Sequence, residues 1–497
     1  MRATTRPMLA AFLTVLVTVV ATASPSSASR AGATLVWKPC PEDRTAQCAT
    51  VRVPVDWDDP YGPATPVVAA RRPATDRAAR IGTLFVNPGG PGGSGVDFAL
   101  DADYFFDAAV RKRFDIVGFD PRGVGRSNPV MCSAALTAAG PSMLVASARA
   151  YAATVAYNRR LAADCARRTG PLFGHSDMLS VVRDMDAIRA ALGEQRISYY
   201  GVSYGTLLGE QYAERYPQRV RALVLDSVMD HSGGTAGFLT AQTAAVEDSF
   251  DQFVAWCDRD TACALHGRDV RWVWRALLNR AQRGVLRDPF DPSFRPAVLD
   301  LLEVAFSSFY DPQWYSLAYY LKEALTPVGS RRAGAPVAAE EHNFPAIFCD
   351  DWAMPVAGWT GLHDRLTVLA RNYPDMRVSP LGLTSVVSCL GAPLATDNPQ
   401  HRLAPARTGP VLLINSRHDP ATPYAWARSV AAQLGPKATL VTYEGWGHAV
   451  YGRSTCVNSL VNRYLLTVAA PPSGASCPAV APSRGGVGQL SGSRGYR

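Results

Sequence analysis

A serine flanked by glycines constrains the fold of this chain more than any other feature of its sequence. The pentapeptide Gly201-Val202-Ser203-Tyr204-Gly205 directly follows an apolar, strand-like run and directly precedes a helical pattern over residues 206–216. Glycine on each side lets the strand and helix backbones approach, so that the serine occupies a strained turn with its hydroxyl exposed at the positive end of the helix. We therefore predict a strand–turn–helix unit with Ser203 as a nucleophile.

Further apolar runs predict the sheet into which this unit fits. They are short, rich in β-branched and aromatic residues, and lack strict alternation, as is typical of strands covered on both faces. They comprise residues 83–86, 114–119, 197–202, 220–225, 411–414 and 439–441. Helical patterns lie between them, including one after Ser180, a suitable N-cap, that ends at Gly193. The alternation predicts an α/β fold with a mostly parallel, doubly wound sheet.

A serine nucleophile needs a base, and His448 is the predicted one. It lies in the glycine-rich segment Glu444-Gly445-Trp446-Gly447-His448, just after the last predicted strand, where the loop can bring the ring over the carboxyl edge of the sheet. His418 is the rival candidate, but it immediately precedes Asp419, and one turn can hardly supply both the base and its orienting acid. We predict His418 to be a surface histidine.

Asp419 is the predicted acid that orients the base. It follows the strand at residues 411–414 in a loop that Pro420 and Pro423 stiffen. An ordinary turn aspartate before proline is the alternative. The resulting order, Ser203, Asp419, His448, is the order found in the α/β-hydrolase fold and differs from those of other serine-protease folds.

Two main-chain N–H groups are predicted to stabilise a developing oxyanion. One belongs to Tyr204, and the other to the glycine-rich loop of residues 87–95, with Gly90 as first choice.

Gly90, Gly92 and Gly95 also match the dinucleotide fingerprint G-x-G-x-x-G. We reject that interpretation because the basic and then apolar start of the chain predicts export, which removes the protein from cellular nicotinamide, and because Pro91 stiffens the loop. We predict no cofactor and no metal site.

The predicted domain boundaries follow from a change in pattern. Residues 29–228 form the first part of the α/β-hydrolase core and residues 401–470 the second part. The strand-poor, aromatic-rich residues 229–400 between them form an inserted helical lid, and residues 471–497 form a C-terminal tail.

Residues 1–28 are predicted to be an export signal, cleaved after Ala23 or Ala28. A basic start precedes a short apolar stretch and small residues, and the apolar stretch is too short for a membrane span.

The ten cysteines form pairs of near neighbours along the sequence and predict disulfides, although sequence alone does not fix their connectivity. The net charge of +8 is scattered, so we expect no nucleic-acid binding. No later segment has an apolar run of spanning length, so we expect no stable membrane insertion after signal removal.

Together these motifs resemble those of the exported bacterial tripeptidyl aminopeptidases, relatives of proline iminopeptidases. The resemblance extends over nearly the whole predicted mature chain. It rests on residues 37–40, 53–57, 87–95, 120–123, 201–206, 346–351, 419–423 and 447–448. It implies a secreted serine exopeptidase that releases short peptides, often tripeptides, from free N-termini without a cofactor.

Such an enzyme needs a group that binds the substrate's ammonium, and acidic lid residues suit that purpose. Asp351 is the predicted group, with Asp350 and Glu247 as further candidates; the alternative is that all three are ordinary structural carboxylates.

Two other functions stay open for the protein. A secreted carboxylesterase or lipase would use the same triad, and a binding protein of this fold would need no triad chemistry.

Overall fold

A single large sheet organises the part of the chain that the structure describes. The structure is a computed structural model that describes residues 35–291, 293–325, 339–391, 396–404 and 409–482. The predicted export signal lies outside these residues. The strands are Lys38–Pro39 (β1), Gln47–Pro54 (β2), Ala64–Arg72 (β3), Gly82–Asn87 (β4), Phe114–Phe119 (β5), Met131–Ser133 (β6), Ile197–Val202 (β7), Val220–Asp226 (β8), Ala339–Glu341 (β9), Val411–His418 (β10), Ala438–Trp446 (β11) and Ser476–Cys477 (β12).

Ten of these twelve strands form the large sheet, in the order β1-β2-β3-β5-β4-β7-β8-β10-β11-β12, and β6 and β9 pair antiparallel in a separate two-stranded sheet. In this order the neighbours from β5 onward are parallel, whereas the pairs β1–β2, β2–β3 and β3–β5 are antiparallel. The central strands β4, β5 and β7 are buried along their whole length, which explains their apolar sequences without alternation. The predicted mostly parallel, doubly wound sheet is confirmed.

Helices cover both faces of this sheet and fill the long connection between β8 and β10. They are Gly95–Leu100 (α1), Ala102–Phe105 (α2), Ala108–Arg113 (α3), Ala134–Ala138 (α4), Ala148–Thr169 (α5), Met178–Ala191 (α6), Tyr204–Arg215 (α7), Thr235–Arg259 (α8), Val270–Gln282 (α9), Val298–Tyr310 (α10), Trp314–Glu323 (α11), Phe344–Asp351 (α12), Gly358–Asn372 (α13), Pro380–Ser388 (α14), Tyr424–Leu434 (α15) and Thr455–Thr467 (α16). We call α8 to α14 the helical insert. It lies within the predicted lid range of residues 229–400, whose exact limits remain a prediction.

Two sequence-based expectations differ from the structure. Helix α6 begins at Met178 with Asp177 as its N-cap, because the Asp177 side chain accepts a hydrogen bond from the Ser180 N–H; the predicted cap at Ser180 is wrong. The predicted tail begins too early. Strand β12 pairs with β11, and its Cys477 is buried and bonded to Cys456, so the chain is still part of the sheet after residue 471.

All five sequential cysteine pairs form disulfides. They are Cys40–Cys48, Cys132–Cys165, Cys257–Cys263, Cys349–Cys389 and Cys456–Cys477. Cys40–Cys48 and Cys456–Cys477 lie at the two ends of the large sheet, Cys132–Cys165 joins β6 to α5, and the other two lie within the helical insert. Disulfides of this number persist in oxidising compartments.

A buried ion pair ties the antiparallel edge of the sheet to α6. Arg122 and Asp184 are both fully buried, and the guanidinium donates to the two carboxylate oxygens at 2.6 and 2.7 Å. Arg122 also donates to the carbonyls of Pro54 and Val55, which end β2 and begin the next loop. Each partner would be an uncompensated buried charge without the other.

We therefore expect Arg122→Met to destabilise the protein by about 3–5 kcal/mol, because it leaves Asp184 buried and unpaired. Urea unfolding measures this loss. Lys112→Ala, which breaks an exposed ion pair with Asp76, serves as the control and should cost less than about 1 kcal/mol. Equal losses in the two variants would contradict the assignment.

Candidate active site

The predicted nucleophile lies in the turn between β7 and α7. Ser203 has φ 57° and ψ −126°, a conformation that costs energy for a residue with a side chain. The two flanking positions leave no room for a side chain. A Cβ at position 201 would lie 2.4 Å from the Gly205 carbonyl oxygen, and one at 205 would lie 2.7 Å from the Asn87 carbonyl oxygen. The predicted strand–turn–helix unit is present, and α7 begins at the residue after the serine.

His448 and Asp419 form a buried pair. The ring Nδ1 lies 3.0 Å from each oxygen of the Asp419 carboxylate, and both side chains are at most 1% exposed. A Nδ1–H that donates to the carboxylate leaves Nε2 as the basic nitrogen. Among the described residues, Nε2 is buried with no hydrogen-bond partner, which leaves it available to a reacting group.

The Asp419 carboxylate is itself held by its own loop. It accepts hydrogen bonds from the N–H groups of Ala421 and Thr422 and from the Thr422 hydroxyl, each at 2.9 Å. The Thr422 hydroxyl also lies 3.3 Å from Nδ1 of His448. We did not predict this role of Thr422, although its place three residues after the aspartate, in a proline-bounded loop, is the pattern of a side chain that closes a turn.

Asp226 connects the serine turn to the histidine loop. Its carbonyl accepts the Ser203 N–H at 2.9 Å. Its carboxylate accepts the N–H groups of Val450 and Tyr451 at 2.9 Å and the Tyr200 hydroxyl at 2.7 Å. Burial raises the pKa of this carboxyl, while these hydrogen bonds counteract the shift. A residue at the end of β8 thus brings the nucleophile and the predicted base to the same edge of the sheet.

Ser227 adds a second contact between the same two loops. Its hydroxyl accepts the Ala449 N–H at 2.9 Å. Both residues have positive φ, 60° for Ser227 and 63° for Ala449, so strained backbone is concentrated around Ser203 and His448. Nothing in the local sequence except the position at a strand end indicated these roles.

The two predicted oxyanion donors lie on adjacent segments. Tyr204 is the first residue of α7, where a main-chain N–H has no acceptor within the helix. The glycine-rich loop packs directly on it, since a Cβ at Gly89 would lie 2.7 Å from the Tyr204 nitrogen. Gly90 follows at φ 119°, where a side chain would meet the nitrogens of Gly92 and Gly93 at 2.9 Å. The oxyanion role of Tyr204 and Gly90 remains a prediction.

The helical insert covers the histidine. The Tyr310 ring lies 4.4 Å from the His448 ring, and the Tyr310 carbonyl accepts the His448 N–H at 2.8 Å. Arg453 donates to the carbonyls of Tyr310 and His448 and pairs with Asp311 at 2.9 Å. The insert is therefore fastened to the loop that carries the predicted base.

The rival histidine and the predicted ammonium-binding group occupy other environments. His418 pairs with Asp248 of α8 at 2.7 Å. Asp351 is fully buried, and its carboxylate accepts hydrogen bonds from the Tyr204 hydroxyl at 2.6 Å, the Met178 N–H at 2.7 Å and Asn398 at 2.9 Å. Both oxygens are buried and bonded to protein groups, so these contacts do not support the predicted ammonium-binding role.

The two further acidic candidates also have structural environments. The Glu247 carboxylate accepts the N–H groups of Asp375 and Met376. Asp350 is fully buried, and burial together with the nearby charges of Asp351 and Asp177 raises its pKa to about 8. Within the described ranges, no group of three or more His, Cys, Asp or Glu residues could hold a metal ion, and no helix is long and apolar enough to span a bilayer.

We expect Asp226→Asn to lower both stability and turnover. The amide would place a donor against main-chain N–H groups, at a cost of about 2–3 kcal/mol, and would loosen the histidine loop relative to Ser203. Thermal unfolding and kcat measure the two effects. Asp248→Asn, at a partly exposed carboxylate, is the control; a matching loss there would show that the effect of Asp226 is not specific.

Asp350 should make stability fall as pH rises. Its folded pKa is about 8, above the ordinary value near 4, so ionisation favours the unfolded chain and stability is lost between those two pH values. We expect Asp350→Asn to gain stability relative to the natural protein between pH 5 and pH 9, measured as unfolding midpoints. A difference that does not change with pH would contradict this expectation.

Comparison with known proteins agrees with the observed fold. The family model described as alpha/beta hydrolase fold matches residues 82–453. The chain is 30% identical over 491 residues to Serine protease Hip1 of Mycobacterium tuberculosis (90% of this chain, 91% of that protein). It is 34% identical over 501 residues to Carboxylesterase B of the same species (92% and 93%).

A third relative matches the resemblance deduced from the motifs. The chain is 31% identical over 475 residues to the Tripeptidyl aminopeptidase of Streptomyces coelicolor, covering 88% of this chain and 85% of that protein. Both the family match and these relatives extend over most of the chain. The chain belongs to the α/β-hydrolase family, as a serine hydrolase related to the bacterial tripeptidyl aminopeptidases.

Proposed function

We propose that this protein is an exported serine exopeptidase that releases short peptides, tripeptides above all, from free N-termini. The observation that carries the proposal is the arrangement at Asp226, which brings the strained Ser203 turn beside the buried His448–Asp419 pair. The relatives named as a tripeptidyl aminopeptidase and a serine protease support a peptide substrate. The five disulfides support export.

In the proposed reaction Ser203 attacks the scissile carbonyl carbon while Nε2 of His448 takes its proton. Asp419 holds the Nδ1–H tautomer and stabilises the imidazolium. The N–H groups of Tyr204 and Gly90 stabilise the oxyanion of the tetrahedral intermediate. The imidazolium then gives its proton to the leaving amine, and water, activated by the same ring, hydrolyses the acyl-enzyme.

Carboxylesterase activity is the second candidate function. It is favoured by the relative named Carboxylesterase B, whose identity to this chain is 34%. The triad cleaves esters and amides alike, so the choice depends on the surface that the helical insert presents to the substrate.

The test is hydrolysis of a chromogenic tripeptide amide with a free or an acetylated N-terminus, alongside a simple ester. We expect turnover of the free form, strong discrimination against the acetylated form, and a loss of about 10⁴-fold or more in Ser203→Ala. Ser180→Ala on α6 is the matched control and should retain full activity. The triad members His448 and Asp419 should show losses of similar order when replaced by alanine.

Two results would contradict the proposal. Ser203-dependent ester cleavage without peptide turnover would favour the esterase. Peptide turnover that Ser203→Ala leaves intact would exclude the triad altogether.

A further inference from the structure

We propose that Asp351 is a positioning residue for the oxyanion hole, acting through the side chain of Tyr204. The proposal rests on the proposed function, in which the Tyr204 N–H is an oxyanion donor next to Ser203. It replaces the expected ammonium contact of Asp351 with a structural connection from the helical insert to the reacting centre.

The connecting contact is a short, fully buried hydrogen bond. The Tyr204 hydroxyl donates to Oδ2 of Asp351 at 2.6 Å, and the tyrosine is 2% exposed. The Tyr204 ring also packs against Phe348, one helical turn before Asp351 on α12, with centroids 6.2 Å apart. The side chain of the residue after the nucleophile is thus anchored to α12 at its ring and at its hydroxyl.

Asp351 is in turn fixed by groups from three other parts of the chain. Its Oδ1 accepts the N–H of Met178, the first residue of α6, and the side-chain amide of Asn398. Asn398 exchanges a pair of hydrogen bonds with Gln211 of α7 at 3.0 and 3.2 Å. The Asp351 carbonyl interacts with Nε2 of His231 at 2.7 Å. A carboxylate held this firmly can fix the position of the tyrosine that it binds.

A displaced Tyr204 side chain should lower kcat because of the position of Tyr204 in the chain. It is the first residue of α7, so a shift of its side chain rotates the peptide that carries the oxyanion donor. Main-chain donors stabilise a transition state only when they are aimed in advance at the developing charge. A misplacement of about 1 Å can cost roughly 100-fold in rate.

The test uses Tyr204→Phe, Asp351→Asn and the double variant, each assayed on p-nitrophenyl acetate and on a free tripeptide amide. The ester carries no ammonium group. We expect kcat for both substrates to fall by about 10- to 100-fold in each single variant, with KM changed by less than about twofold. Because the two residues share one interaction, the double variant should lose no more than the worse single variant.

Tyr212→Phe is the matched control. Tyr212 is a buried tyrosine on the same helix, and its hydroxyl donates to the Asp186 carboxylate at 3.1 Å, two turns away from Ser203. We expect it to lower the unfolding midpoint as Tyr204→Phe does, but to leave kcat within about twofold. Should Asp351→Asn fail to fold, Tyr204→Phe against Tyr212→Phe still decides the question.

Three results would overturn the proposal. Unchanged ester turnover with a raised KM for the free tripeptide would place Asp351 at the ammonium. Additive losses in the double variant would assign separate roles to the two residues. Equal kcat in Tyr204→Phe and the natural protein would leave only a structural role. Ester turnover that Ser203→Ala does not abolish would instead refute the proposed function, independently of Asp351.

Discussion

The hydrogen bonds of Asp226 hold together the two loops on which the proposed chemistry depends. A nucleophile after β7 and a base after β11 come from strands separated in the sheet by β8 and β10. The main chain of Asp226 binds the first loop and its carboxylate binds the second. Because this carboxylate is wholly buried and saturated with donors, neither loop can shift without exposing unpaired polar groups to an apolar interior.

The helical insert contacts the site at two separate points. At one, Arg453 and the Tyr310 carbonyl fasten the end of α10 to the histidine loop. At the other, Asp351 at the end of α12 holds Tyr204. The disulfide Cys349–Cys389 joins α12 to the residue after α14 and so stiffens the second point. The insert therefore packs both on the loop that carries His448 and on the residue that follows Ser203.

Much of the sheet could be predicted from sequence because the central strands are buried on both faces. Residues 114–119 and 197–202 have the same limits in the prediction and in β5 and β7, since apolar runs bounded by turn residues leave little choice. The antiparallel strands β2 and β3 were missed. They are half exposed and carry alternating patterns interrupted by proline and charged residues.

The candidate site could be predicted from sequence where the chemistry requires a particular residue type. It could not be predicted where the role of a residue depends only on which groups the fold brings into contact with it. Ser203, Asp419 and His448 stand out by their turns and glycines. Asp226, Ser227 and Thr422 are ordinary residues at strand ends or turns, and their roles come from partners more than 20 residues away in sequence or from loop closure. For Asp351, acidity suggested a substrate contact, whereas the structure shows a buried carboxylate that protein groups bind. Its ammonium-binding role stays a prediction.

Labelling with a fluorophosphonate, followed by peptide mass spectrometry, tests directly whether Ser203 is a nucleophile that His448 activates. We expect one adduct, on the peptide that contains Ser203, formed at least about 1,000-fold more slowly in His448→Ala because the hydroxyl then lacks its base. An adduct on another residue, or an equal rate of labelling in His448→Ala, would contradict the assignment of Ser203 as a nucleophile activated by His448.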